Sequence, residues 1–129
     1  MTKTESSEMY LETIYLLEKV HGHAHTVDIA DKLNVSKPSV TKAMNNLKEE
    51  GLVEKEAYGT IQLTEKGRKI SKKIYSKHKL LTNYLHHSLG LSFSEAEKNA
   101  CKMEHIASDE MMKRVRDYVE KTEGFKNAN

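Results

Sequence analysis

The sequence predicts a mainly α-helical chain with one small β-hairpin, and three observations carry that expectation. Apolar residues recur at the helical interval through most of the 129 residues. A single pair of short extended segments, residues 52–56 and 60–64, flanks Ala57-Tyr58-Gly59. Serine and glycine stand where those helical stretches begin and end.

The first helix is expected from Ser6 to about Val20. Met9, Ile14, Leu16, Leu17 and Val20, with Tyr10 and Tyr15, fall at helical spacing, and His21-Gly22-His23 closes it. The cluster His21-Gly22-His23-Ala24-His25 reads as a solvated turn. Thr26 to Leu33 forms a short second helix, and Asn34-Val35-Ser36 a turn. Ser36 caps a third helix, with Pro38 in its first turn, where a missing N–H is no loss. Val40, Met44 and Leu47 give that helix a buried stripe, and Gly51 stops it. After the hairpin, Thr64-Glu65-Lys66-Gly67 opens a long helix reaching about His87, broken by Gly90. Ser92 or Ser94 caps the next helix, which runs through about Ile106. Ser108-Asp109 starts the last, to about Lys121, and the tail Glu123 to Asn129 has little to bury.

Composition excludes several classes. No apolar run approaches the roughly 18 residues of a membrane span, and the polar start, Met1 to Ser7, lacks a signal-peptide core. Cys101 is the only cysteine, so no internal disulfide forms and a reducing, cytoplasmic setting is expected, with no membrane partner. The net charge of +2 is small, yet Lys66, Arg68, Lys69, Lys72, Lys73, Lys77 and Lys79 crowd one stretch. That block suits phosphates or an acidic partner surface, and equally a solvated helix face.

Short helix, tight turn, second helix and hairpin is the order of a winged helix-turn-helix. In that arrangement the second helix enters the major groove of double-stranded DNA and reads it from its first turns. Here it presents Ser36, Lys37, Pro38, Ser39, Thr41 and Lys42, with hydroxyls and ammonium groups for phosphates and base edges. Tyr58 stands at the tip of the wing, near the backbone. Helix-turn-helix pairs also occur in proteins that never touch DNA, and the hairpin is what favours the DNA reading.

The sharpest chemistry lies in Cys101-Lys102-Met103-Glu104-His105. On a helix, positions i, i+3 and i+4 share a face, so thiolate, carboxylate and imidazole converge, all common donors to first-row metals. The bland alternatives are a packed cysteine and a surface Glu-His pair. Met9 and Glu12 on the first helix and His78 on the long helix are further candidates, although Met9 also suits the apolar stripe. Leu89, Leu91, Phe93, Met111, Met112, Val115 and Val119 offer apolar surface for a homodimer or for an internal core.

Taken in order, these segments resemble the diphtheria-toxin-repressor family of iron- and manganese-dependent repressors. The resemblance rests on Glu8 to Tyr15, Ser36 to Leu47, Lys77-His78-Lys79-Leu80, and Ala100 to His105 followed by Ser108-Asp109-Glu110. It implies a winged helix-turn-helix DNA-binding domain over residues 1–72. An all-helical metal-binding and dimerisation domain over residues 73–129 follows. In the iron branch, a Met on the first helix and a Cys-x-x-Glu-His motif hold the regulatory metal, which carries over to Met9, Cys101, Glu104 and His105. A second position matches His78, while an expected Glu falls on Thr82 and an expected His on Glu97. In the manganese branch Glu12, His78, Glu104 and His105 fit, whereas Met9 and Cys101 depart. The iron branch usually adds an SH3-like domain, and this chain stops at Asn129, as the manganese branch does.

Soft thiolate and thioether donors favour Fe²⁺ over the oxygen-preferring Mn²⁺, the alternative. Zn²⁺, Co²⁺ or Ni²⁺ can bind in vitro. The resemblance therefore implies a metal-activated repressor that binds palindromic operators as a homodimer and controls metal-ion homeostasis genes. A metal-independent winged-helix regulator sensing a small organic ligand is the alternative. No catalytic residue is expected: neither a nucleophile elbow nor a phosphate loop is present, and the metal set looks fully ligated, unlike a catalytic site.

Overall fold

The computed structural model describes residues 3–122; the expected tail from Glu123 lies outside them. The chain divides into two compact units between Lys73 and Ile74.

The first unit begins with α1 (Lys3–His21), longer at its start than the apolar pattern suggests. Tyr10, Leu11, Glu12, Thr13, Ile14 and Tyr15 are all buried, which takes in every face of the helix, whereas Val20 is largely exposed. So α1 is an interior helix over those turns rather than an amphipathic surface one. Burial also pushes the Tyr10 phenol above its ordinary value. The chain then forms a two-residue strand, β1 (Ala24–His25), α2 (Thr26–Leu33) and α3 (Lys37–Glu49). Ser36 caps α3 by accepting the Ser39 N–H at 3.2 Å. Val40, Met44 and Leu47 are its buried residues. Gly51, at φ 76°, turns the chain out of the helix in the left-handed region that glycine tolerates without strain.

The wing consists of β2 (Val53–Lys55), a 3-10 turn (Ala57–Gly59) and β3 (Thr60–Leu63). Val53 pairs with Leu63 and Lys55 with Ile61. The sheet has three strands rather than two, in the order β1-β3-β2, because Ala24 pairs with Ile61 and His25 with Thr60. The segment expected as a solvated turn therefore contributes a strand, and Ala24 is fully buried. Two residues are too few to show a period of two, so the pattern gave no sign of it.

Helix α4 (Glu65–Leu89) leaves the wing through Thr64. The Thr64 hydroxyl donates to the Gly51 carbonyl at 2.7 Å and accepts the Gly67 N–H at 3.1 Å. A Cβ placed on Gly67 would lie 2.1 Å from the Leu52 carbonyl oxygen, so only glycine lets the helix start this close to the wing. Glu18 on α1 adds a strap within this unit, accepting the Leu63 N–H at 3.0 Å and meeting Arg68 at 2.6 Å.

The second unit comprises the later part of α4 with α5 (Phe93–Met103) and α6 (Asp109–Lys121). Leu81, Leu85, Ala96, Ala100, Met112 and Val115 form its core. Ala96 and Ala100, one turn apart and fully buried, leave room for a close helix approach. Ser92 caps α5 through the Glu95 N–H, and Ser108 caps α6 through the Met111 N–H. Helix α5 stops three residues earlier than expected, with Glu104 as its C-cap.

Candidate metal centre and nucleic-acid interface

The end of α5 decides the local geometry of the second unit's donors. Cys101 lies in the last turn, Glu104 caps the helix with helical φ/ψ, and His105 falls in the following turn. His105 therefore lies one residue beyond the helix's C-cap. That turn is fixed because the Ile106 and Ala107 N–H groups both donate to the Met103 carbonyl.

Glu104 is the hub. Its side chain is fully buried, and Oε2 lies 2.8 Å from Nδ1 of His78 on α4. Oε1 lies 3.3 Å from Nε2 of His105, without hydrogen-bond geometry. A Glu104 carboxylate oxygen and the Cys101 sulfur approach within 4.8 Å. One thiol and two imidazoles thus gather around the buried Glu104 carboxylate. Burying a carboxylate demands compensating charge or hydrogen bonds, and here one oxygen has no hydrogen bond. Such a donor set fits a divalent first-row cation, with the second imidazole able to ligate or to orient the carboxylate.

Thr82, at the position of an expected Glu, donates its hydroxyl to the His78 carbonyl at 2.7 Å and braces the backbone at that imidazole. Glu97 is exposed on α5. On α1, Glu12 is buried and Met9 partly so; both belong to the first unit.

On α3, Ser36, Lys37, Pro38, Ser39, Thr41 and Lys42 are all exposed. The Ser36 and Ser39 hydroxyls lie 2.8 Å apart. Lys37, Pro38, Thr41 and Lys42, with Asn45 and Asn46, line an open concavity of about 570 Å³. Asn45 and Asn46 were not among the expected DNA-contacting residues, although continuing the helical interval from Thr41 and Lys42 leads to them. Lys55 on β2 was also missed, and it donates to the Asn45 side-chain oxygen at 3.0 Å. Tyr58 is 98% exposed at the wing tip, in the left-handed region at φ 65°.

Of the apolar residues expected to offer dimer surface, Met112 and Val115 lie in the second unit's own core, with Leu91 and Val119 packed against it. Leu89, Phe93 and Met111 remain exposed, joined by Ile106 and Tyr118. No helix among the described residues is long and apolar enough to cross a membrane.

Comparison with known proteins agrees with this arrangement. Residues 2–61 match the N-terminal DNA-binding domain of iron-dependent repressors, and residues 64–124 match their metal-binding and dimerisation domain. An uncharacterised HTH-type transcriptional regulator of Methanocaldococcus jannaschii is 40% identical over 92% of this chain and 95% of its own length. The iron-dependent repressor IdeR of Mycobacterium tuberculosis is 32% identical over 86% of this chain and 48% of its own length. This chain thus spans about half the length of that curated relative. The solved structure of the manganese regulator SloR superposes with a TM-score of 0.78 at 31% identity, covering 93% of this chain and 55% of that one. The chain belongs to the iron-dependent, diphtheria-toxin-repressor-like family of metal-dependent DNA-binding regulators.

Proposed function

We propose that this protein is a transcriptional repressor activated by Fe²⁺, with Mn²⁺ the second choice, that binds palindromic operators as a homodimer and controls metal-ion homeostasis genes. The observation that carries the choice of ion is the donor chemistry around Glu104. A thiol beside a buried carboxylate and two imidazoles suits a borderline cation better than a strictly oxygen-preferring one.

In this reading Cys101, Glu104 and His105 hold the ion with Met9, and Glu12 and His78 complete the set or orient it. The roles of Met9 and Glu12 rest on their donor types and on the family's motif. The bound cation supplies the positive charge that lets a thiolate and a buried carboxylate stand together. Residues from α1 and from the second unit are thereby tied into one site. The DNA-binding unit is then held in one orientation, and the population shifts toward the DNA-competent state. DNA must tighten metal binding by the same factor.

The exposed Leu89, Phe93, Ile106, Met111 and Tyr118 supply the apolar surface for the homodimer. Two-fold symmetry then presents two copies of α3 to half-sites roughly 34–36 Å apart. Ser36, Lys37, Ser39, Thr41, Lys42 and Tyr58 contact phosphates and base edges, with Pro38 against the groove. In this reading residues 1–72 form the DNA-binding domain, which also lends Met9 and Glu12 to the ion, and residues 73–129 the metal-binding and dimerisation domain.

The test is metal-dependent binding to operator DNA by Cys101→Ala and Glu104→Ala. Both variants should keep weak, salt-sensitive DNA affinity and lose the metal-dependent increment. An unchanged increment in both rejects the reading.

A further inference from the structure

The face of α3 opposite Val40, Met44 and Leu47 continues one turn beyond the residues assigned above. At 100° per residue, Pro38, Lys42 and Glu49 lie nearest its centre, with Asn45 and Asn46 about 50° to either side and Thr41 near its edge. Asn45 and Asn46 are exposed and share the concavity with Lys37, Pro38, Thr41 and Lys42. Glu49 and Glu50 follow, also exposed, and their charge repels phosphate. The DNA-facing stretch of the helix therefore ends at Asn46.

Asn45 differs from its neighbours in being held by another element. Lys55 occupies the same face of β2 as Val53, which is buried, and β2 packs on α3. The register that pairs Lys55 with Ile61 consequently directs this lysine toward the recognition helix rather than away from it. Its ammonium donates to the Asn45 side-chain oxygen at 3.0 Å. A carboxamide can turn over and exchange its donor for its acceptor; an ammonium, which only donates, selects the orientation in which oxygen faces Lys55. The amide nitrogen is left to face outward. The oxygen retains a second lone pair, and the ammonium two further donors.

We infer that Asn45 reads an adenine in the major groove, and that Lys55 is a positioning residue fixing its carboxamide for that base. The inference rests on the DNA-binding reading above. An amide nitrogen donating to adenine N7 while the oxygen accepts from N6 is the bidentate match of asparagine to adenine. Guanine offers two acceptors on the same edge and opposes the fixed oxygen. Sequence preference is thus set jointly by α3 and the wing.

The experiment is selection from a randomised DNA duplex pool by the full chain with Mn²⁺, comparing wild type, Asn45→Ala, Lys55→Met, Lys55→Arg and the double variant Asn45→Ala/Lys55→Met. Both substituted residues, Asn45 and Lys55, are on the surface, and circular dichroism verifies the fold of each variant. The wild type should enrich a half-site with adenine at one position. Asn45→Ala should lose discrimination there by roughly 5- to 150-fold. Lys55→Met should weaken preference at the same position, the double variant should lose no more than Asn45→Ala alone, and Lys55→Arg should restore part of it. Three results overturn the inference: base preferences unchanged in Asn45→Ala, a preferred base other than adenine at the Asn45-dependent position, or Lys55→Met losing affinity evenly over all sequences. In the last case Lys55 is a phosphate contact, and the salt slope drops by about one. No enrichment by the wild type, with or without Mn²⁺, overturns the DNA-binding reading itself and the inference with it.

Discussion

His78 Nδ1 and Glu104 Oε2 lie 2.8 Å apart, joining the long helix to the end of α5 across a buried carboxylate. The pair places an imidazole from one helix against the acid that caps another, and Thr82 braces the backbone behind it. His78→Ala removes that partner whether His78 ligates the ion or orients its ligand. The expected outcome is metal affinity weaker by about 10- to 100-fold, read by anaerobic calorimetric titration with Fe²⁺ and Mn²⁺. His78→Ala with unaltered affinity for both ions places the site elsewhere.

In the proposed function, the preference for a softer ion rests on the Cys101 thiol. Replacing it by glutamate exchanges sulfur for oxygen at the same helical position. Cys101→Glu should lower the Fe²⁺-to-Mn²⁺ affinity ratio while preserving metal-dependent DNA binding. Competition titration of the two ions under anaerobic conditions measures the ratio; a ratio equal to that of the wild type removes sulfur from the ligand set.

Gly67 opposes two effects that can be ranked. In an exposed helix interior, Gly→Ala stabilises by about 1 kcal/mol through propensity. Here the new methyl meets the Leu52 carbonyl oxygen at 2.1 Å, a backbone atom that cannot rotate aside. Overpacking of about 1–3 kcal/mol prevails. Gly67→Ala should therefore lower the urea midpoint, and a raised midpoint contradicts the close approach.

Tyr10 predicts an alkaline limb in stability. Burial disfavours the phenolate, so the folded-state value lies above the ordinary 10.0. The unfolded chain then loses its proton first, and stability falls as pH rises past that ordinary value. Below it the two states bind the same proton and the contribution is flat. Tyr10→Phe should flatten the loss above that ordinary value in denaturant titrations; an identical slope in the variant assigns the limb to other groups.

Much of this was legible in the sequence because the signals were local. Ser36, Ser92 and Ser108 cap helices through their side chains, and Val40, Met44 and Leu47 occupy the buried stripe of α3. What escaped was set by tertiary partners. Strand β1 exists because β3 pairs with it, not because Ala24-His25 prefers extension. Helix α5 ends at Met103 because the next turn hydrogen-bonds back to the Met103 carbonyl, which places His105 one residue beyond the helix's C-cap. Lys55 reads as one more surface lysine until the hairpin register directs it to Asn45. Donor types at Cys101, Glu104, His105 and His78 were readable from spacing and resemblance. Glu104 as their buried centre was not.

Whether metal ligation licenses DNA binding is decided by anaerobic binding of the metal-stripped chain to duplex DNA, with and without Fe²⁺. Tight, palindrome-selective binding only with Fe²⁺, abolished by chelator and restored by added metal, is the predicted result. Equal affinity and selectivity in the stripped and loaded protein would contradict it.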